Sequence, residues 1–140
     1  MGISNYDISS TVGTLVSQRL VRKICKKCAK KREFNEDEIN LIKKLEDKYN
    51  VKFNLEGKYT YDAVGCKECN NSGYYDRIGI FEVLGLDDSI KELIVNGAST
   101  IEIRNAALQK DYKPLIVDGI NKVLDGVTNL NELDRKLIIY

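Results

Sequence analysis

The chain has 140 residues, of which 43% are apolar and 31% charged, a globular composition that excludes a disordered tail. Its 22 Lys and Arg against 21 Asp and Glu leave a formal net charge of +1, which argues against a non-specific nucleic-acid binder. Histidine is absent, and with it go the Ser-His and Cys-His nucleophiles, the commonest general base and every mixed cysteine/histidine metal site.

The N-terminus, MGISNYDISS, has neither the basic start nor the apolar core of a signal peptide. The uncharged run from Ile8 to Gln18 is too short and too rich in Ser and Thr to span a bilayer. The expected compartment is the cytoplasm, where thiols stay reduced. Val12, Leu15, Val16, Leu20 and Ile24 recur at helical spacing and predict a helix over 8–24. Asn35 with Glu38 reads as a capping box for a helix over 36–49, with Ile39, Ile42, Leu45 and Tyr49 on one face. Alternation through Tyr59, Tyr61 and Ala63 predicts a strand over 58–64, and Asn70-Asn71-Ser72-Gly73 has the composition of a turn. Ile78 to Leu84 is the clearest strand. Asp88 opens a helix that Gly97 ends, and Ser99 with Glu102 caps another over 100–109. Pro114 suits the first turn of a helix closed by Gly126, and Thr128 begins a last short helix before the apolar run Leu137-Ile138-Ile139-Tyr140. The fold class expected is α+β: a metal-stapled tetracysteine module with helices and a few short strands, followed by a small helical bundle tail.

All four cysteines fall into two pairs, Cys25-Lys26-Lys27-Cys28 and Cys66-Lys67-Glu68-Cys69. Two residues between cysteines let a tight knuckle aim both sulfurs at one ion, and a second knuckle completes a tetrahedron. Protein fills all four positions, so the expected metal is one structural zinc per chain, with no open site for catalysis. Eight basic residues between Arg19 and Arg32, with no acid among them, offset the formal −2 charge of a zinc tetrathiolate and favour the thiolates. Three other uses of the same cysteines stay open at this point: two disulfides, a thioredoxin-like dithiol, and iron in a rubredoxin-like site. No G-x-x-x-x-G-K-[ST] loop or G-x-G-x-x-G turn occurs. Acidic neighbours such as Asp87-Asp88 and Glu36-Asp37-Glu38 stand at helix starts, where they complement the helix dipole. No catalytic residue is read from the chain.

These motifs occur in a recognisable order. Gln18-Arg19-Leu20-Val21-Arg22-Lys23-Ile24-Cys25-x-x-Cys28, then Gly65-Cys66-x-x-Cys69-Asn70-x-Ser72-Gly73-Tyr74-x-x-Arg77-x-Gly79-Ile80-Phe81-Glu82, resemble the metal-site region of the hexameric type II secretion and type IV pilus assembly ATPases. Leu86-Asp87-Asp88-x-Ile90-x-Glu92-Leu93-Ile94, Gly97-Ala98, Glu102-Ile103-Arg104 and Asp118-Gly119-x-x-Lys122-Val123 continue the likeness to the end. The resemblance implies that residues 1–24 end a RecA-like motor domain as a helix leading into the metal site. Residues 25–86 would then form the zinc module, with ligands Cys25, Cys28, Cys66 and Cys69, and residues 87–140 a C-terminal helical region. It implies partners in the motor core, neighbouring subunits of a hexamer and an inner-membrane platform protein, at a cytoplasmic site peripheral to that membrane, and no nucleic acid. ATP and magnesium belong to the full-length parent, because the family's phosphate-binding loop, acidic magnesium-binding residues and histidine motifs lie upstream of the segments matched here. This chain alone is therefore expected not to hydrolyse ATP. Arg19 and Arg77 flank the knuckles on the matching motifs, and a guanidinium there suits either a neighbour's nucleotide or a local carboxylate. The alternative is a free-standing tetracysteine module that binds nucleic acid or protein through the basic run.

Overall fold

Each early helix starts where the sequence supplies an oxygen for otherwise unpaired N–H groups. In the computed structural model, which describes residues 2–137, Ser4 and Asp7 cap each other at the start of α1 (Asn5–Thr11). At α2 (Glu36–Tyr49), the Glu38 N–H donates to Asn35 Oδ1 at 2.8 Å and the Asn35 N–H to Glu38 Oε2 at 3.0 Å. Asp87 caps α3 (Asp88–Val95) and Ser99 with Glu102 caps α4 (Thr100–Leu108). Helices α5 (Leu115–Leu124) and α6 (Leu130–Leu137) complete the set. Four strands accompany them: β1 (Thr14–Ile24), β2 (Lys30–Arg32), β3 (Thr60–Asp62) and β4 (Tyr74–Gly85). The architecture is α+β. Strands β1 and β4 form one two-stranded sheet, and β2 pairs with β3 antiparallel in the register Lys30–Asp62, Lys31–Tyr61 and Arg32–Thr60. Among the described residues, no helix is long and apolar enough to cross a membrane.

The helix expected over 8–24 is not present. A short helix starts earlier, at Asn5, and gives way near Gly13 to the 11-residue strand β1. The residues that set the helical period, Leu15, Val16 and Leu20, are exposed, whereas Val21 and Ile24 carry the burial. Pairing with β4 decided this segment, since strand formation depends on the neighbour more than on local preference. The strand expected over 58–64 shrinks to the three residues that β2 can pair, and the strand over 78–84 extends at both ends. The last helix begins at Leu130, not Thr128, because the Thr128 hydroxyl turns inward to the Arg22 carbonyl at 2.9 Å. Residues 138–140 of the terminal apolar run lie outside the described residues.

The chain folds into two compact units, each assembled from segments far apart in sequence. Residues 1–17 and 82–114 form the first. Its core is Leu86, Ile90 and Ala107, with Val12, Leu93, Ile103 and Tyr112 packed around them. Residues 18–81 and 115–140 form the second. There Val21, Ile42, Leu45, Ile80, Ile120, Val123 and Leu133 are the heart of a larger cluster. The four helices of the last third therefore divide, with α3 and α4 in the first unit and α5 and α6 in the second. The reason is where their apolar faces find cover: α3 packs with α1 and α4, while α5 packs with α6.

One charge lies at the centre of the second unit. Glu132 of α6 is fully buried, and its carboxylate is surrounded by donors. It accepts from the Arg22 backbone N–H at 3.0 Å, from Arg22 Nε and Nη2 at 2.9 and 2.7 Å, and from Arg135 Nε and Nη2 at 2.9 and 2.7 Å. Burial pushes this carboxyl up, but the arginines and the backbone donor outweigh it and bring it down from 4.5 to about 2. A depressed carboxyl contributes stability that is complete above its unfolded value and is lost as pH falls through its folded value. Denaturation measured in steps from pH 5 to pH 2 is expected to show stability falling more steeply for the native chain than for Glu132→Gln. At pH 7 the variant is expected to be less stable by about 2 kcal/mol, the cost of removing the buried carboxylate that the two partly exposed arginines and the Arg22 N–H share.

Candidate metal centre

The first knuckle forms where β1 ends. The Cys28 and Ala29 N–H groups both turn back to the Cys25 carbonyl, at 3.2 and 2.9 Å. The second is a single 3-10 turn, Lys67–Cys69, closed by Cys69 N–H to Cys66 carbonyl at 3.2 Å and Asn71 N–H to the same carbonyl at 2.8 Å. Asn70 and Asn71 take left-handed backbone angles there, as asparagine tolerates, so the expected turn is present. Two glycines are obligatory. A Cβ on Gly65, at φ +106°, would lie 2.7 Å from the Asn71 carbonyl oxygen; one on Gly73, at φ +76°, would lie 2.6 Å from the Ala63 Cβ.

Gly73 also joins the two knuckles. Its N–H donates to Cys69 Sγ at 3.2 Å, and its carbonyl accepts the Cys25 N–H at 3.0 Å. The Cys66 N–H reaches Cys69 Sγ at 3.2 Å as well. The result is a cage of four sulfurs, all within 4.8 Å of one another. Cys25–Cys66, Cys28–Cys69 and Cys66–Cys69 stand 3.9, 3.8 and 3.7 Å apart. A tetrahedral ion with metal–sulfur bonds near 2.3 Å requires edges of about 3.8 Å, so the four residues fit one metal ion. All four cysteines are free, and their separations far exceed the roughly 2.05 Å of a disulfide. Cys25 and Cys69 are buried, Cys28 and Cys66 half-buried.

Two of the thiols are shifted in opposite directions. Desolvation, reinforced by the neighbouring thiols, pushes Cys28 up to about 12. At Cys69 desolvation acts in the same direction, but the Cys66 and Gly73 N–H groups prevail and bring it down to about 6.

Much of the basic run is spoken for. Arg22 pairs with Glu132, Lys23 with Asp76 at 3.0 Å, Lys27 with Glu68 at 3.2 Å, and Arg32 with both Glu38 and Asp62. Lys31 lies over the Tyr59 ring. Such pairing offsets part of the positive charge that a nucleic-acid reading requires. Arg19 and Arg77 are exposed strand residues; the Arg19 guanidinium donates to the adjacent Gln18 carbonyl at 3.3 Å, and the Arg77 backbone N–H donates to Asp76 Oδ1 at 2.7 Å. Six extended residues place Arg19 about 20 Å along β1 from Cys25. The sequence places Gly65 and Gly73 in the motif around the second knuckle, and Gly73 in a turn, without giving either a role at the metal site, and it does not single out Glu132. The glycines carry a signal, a left-handed turn beside a knuckle, but Glu132 looks from sequence like the third residue of an Asn129-x-x-Glu132 capping box. Half of that box is present, with Glu132 N–H to Asn129 Oδ1 at 3.0 Å.

The type II/IV secretion system protein family matches residues 1–135. The chain is 37% identical over 134 residues to the type IV pilus assembly ATPase PilB of Myxococcus xanthus, covering 95% of this chain and 23% of that protein. It is 34% identical over 138 residues to the PilB of Thermus thermophilus, covering 99% and 15%. With the type II secretion system protein E of Aeromonas hydrophila it shares 35% over 136 residues, covering 96% and 25%. The chain thus spans a quarter or less of the length of these relatives.

Replacing Gly73 by Ala tests the cage geometry. The expected result is a destabilisation of roughly 2 kcal/mol, from left-handed strain and the clash with Ala63, together with weakened metal uptake. Chemical denaturation and zinc titration of the same preparation measure both.

Proposed function

Because the chain belongs to the type II/IV secretion system protein family, we propose that it is the C-terminal zinc-binding structural and interaction module of a pilus assembly or type II secretion motor ATPase. The observation that carries this reading is a four-sulfur cage of tetrahedral dimensions in a chain that aligns almost end to end with such ATPases over a small part of their length. In this assignment residues 1–24 close the motor domain, 25–86 carry the zinc and 87–140 form the C-terminal region. Cys25, Cys28, Cys66 and Cys69 hold one structural zinc, preferred to iron because a closed tetrathiolate that staples a fold needs no redox chemistry. The module has no nucleotide site of its own; ATP and magnesium act in the rest of the protein. It stabilises its subunit and transmits ATP-driven motion to neighbouring subunits or to an inner-membrane platform protein, from the cytoplasmic side of that membrane.

Elemental analysis and nucleotide turnover on one purified sample test the chemistry. One zinc per chain is expected, without the visible absorption of an iron tetrathiolate, and no conversion of ATP to ADP above that of a Cys-substituted control. Turnover above that control, or iron in place of zinc, overturns the assignment.

The exposed Lys26, Lys27 and Lys30 around the first knuckle are the surface by which the module touches another chain. Crosslinking through these lysines in the full-length assembly is expected to capture a neighbouring subunit or the platform protein. Crosslinks confined to their own chain would show that these charges are merely solvated.

A further inference from the structure

The segment between α5 and α6 is bound to the chain around both knuckles. Entering the first, the Ile24 N–H donates to the Val127 carbonyl at 2.8 Å, the Arg22 carbonyl accepts from the Thr128 hydroxyl at 2.9 Å, and Arg22 is held at backbone and side chain by Glu132. Entering the second, the Tyr61 carbonyl accepts from Asn129 Nδ2 at 3.1 Å. The Tyr61 ring lies so close to Gly126 that a Cβ there would stand 2.7 Å from it. Leaving the second, Tyr74 follows Gly73 directly; its hydroxyl donates to Asn129 Oδ1 at 3.1 Å and its ring lies 4.0 Å under the Arg22 guanidinium. The chain leaving the first knuckle is tied indirectly, through the pairing of β2 with β3. None of these residues contributes a sulfur, and Glu132 is more than sixty positions beyond the last cysteine.

We propose that residues 126–132 are the positioning element of the metal centre, and that Glu132 acts as a positioning residue that sets how tightly the four sulfurs hold their ion. The proposal rests on the reading of the four thiols as the ligands of one metal. The physical argument is preorganisation. A tetrahedral site binds best when its ligand vectors are fixed before the ion arrives, and groups outside the ligand set supply that fixing. Here the segments flanking both knuckles are registered against one short turn, and the turn is held to β1 by a carboxylate fully enclosed by arginine and backbone donors. Loosening that carboxylate frees Arg22, three residues from Cys25, and the Arg22–Tyr74 stack, one residue from Gly73.

Zinc affinity of the 140-residue chain, measured by chelator competition, tests this, with the cobalt absorption spectrum as a record of the ligand set. Glu132→Gln is expected to weaken zinc binding about tenfold or more while keeping a tetrathiolate cobalt spectrum. Tyr74→Phe, which removes one hydroxyl and keeps the ring over Arg22, is expected to weaken it about fivefold. Lys52→Gln, which breaks the ion pair of this exposed lysine with Glu46 outside both knuckles and residues 126–132, is expected to change affinity less than about twofold. A merely structural Glu132 would lower the melting temperature of metal-free and metal-loaded protein alike and leave affinity unmoved. Folded Glu132→Gln with native affinity overturns the proposal; if that variant does not fold, native affinity in Tyr74→Phe overturns it. Failure of the unsubstituted chain to take up either zinc or cobalt overturns the metal reading itself, and the positioning role with it.

Discussion

Four sulfurs within 4.8 Å of one another constrain the second unit more than any other contact does. Two of them close β1 and two precede β4, so the strands, the glycine turns and the chain between the knuckles must all agree on one point in space. That agreement closes a loop of about forty residues, whose entropy an ion or a dense set of hydrogen bonds must offset. The thiol geometry suits an ion, and the backbone supplies its own closure through Gly73, whose N–H and carbonyl reach one knuckle each.

The remainder of the second unit is arranged to keep that point fixed. Arg32 joins β2 to β3 and to the first turn of α2 by binding Glu38 and Asp62 together. Arg22 joins β1 to α6 through Glu132 and stacks on Tyr74. These are bidentate or enclosed pairs, the kind that fix geometry, whereas the exposed pair of Lys27 with Glu68 adds little. Part of the basic run beside the four sulfurs is thus used in holding the module together, while Arg19, Lys26, Lys27, Lys30 and Lys31 stay exposed.

The first unit has a different character. Its small core of Leu86, Ile90 and Ala107 sits among three short helices, and each of those helices is capped from its own sequence or the residue just before it. Local capping carries much of the definition there, while long-range hydrogen bonds carry it in the second unit. The two kinds of stabilisation explain why the helices of the last third part company: α3 packs with α1 and α4, and α5 and α6 complete the core around Val21 and Ile80.

Sequence alone determined the local features. The caps of α2, α3 and α4, the asparagine turn after Cys69, the central part of β4 and the tetrahedral spacing of the cysteines depend on neighbours within a few residues, and all stand where the pattern puts them. Tertiary structure decided the rest. Residues 14–24 have a helical period, yet they form a strand because β4 offers a partner ladder that no local pattern records. Glu132 reads as a capping residue but turns its carboxylate to Arg22, 110 positions away. The tail reads as one bundle but divides between two units. In each case the deciding energy comes from burial or pairing with a segment distant in sequence, which exists only once the chain has folded.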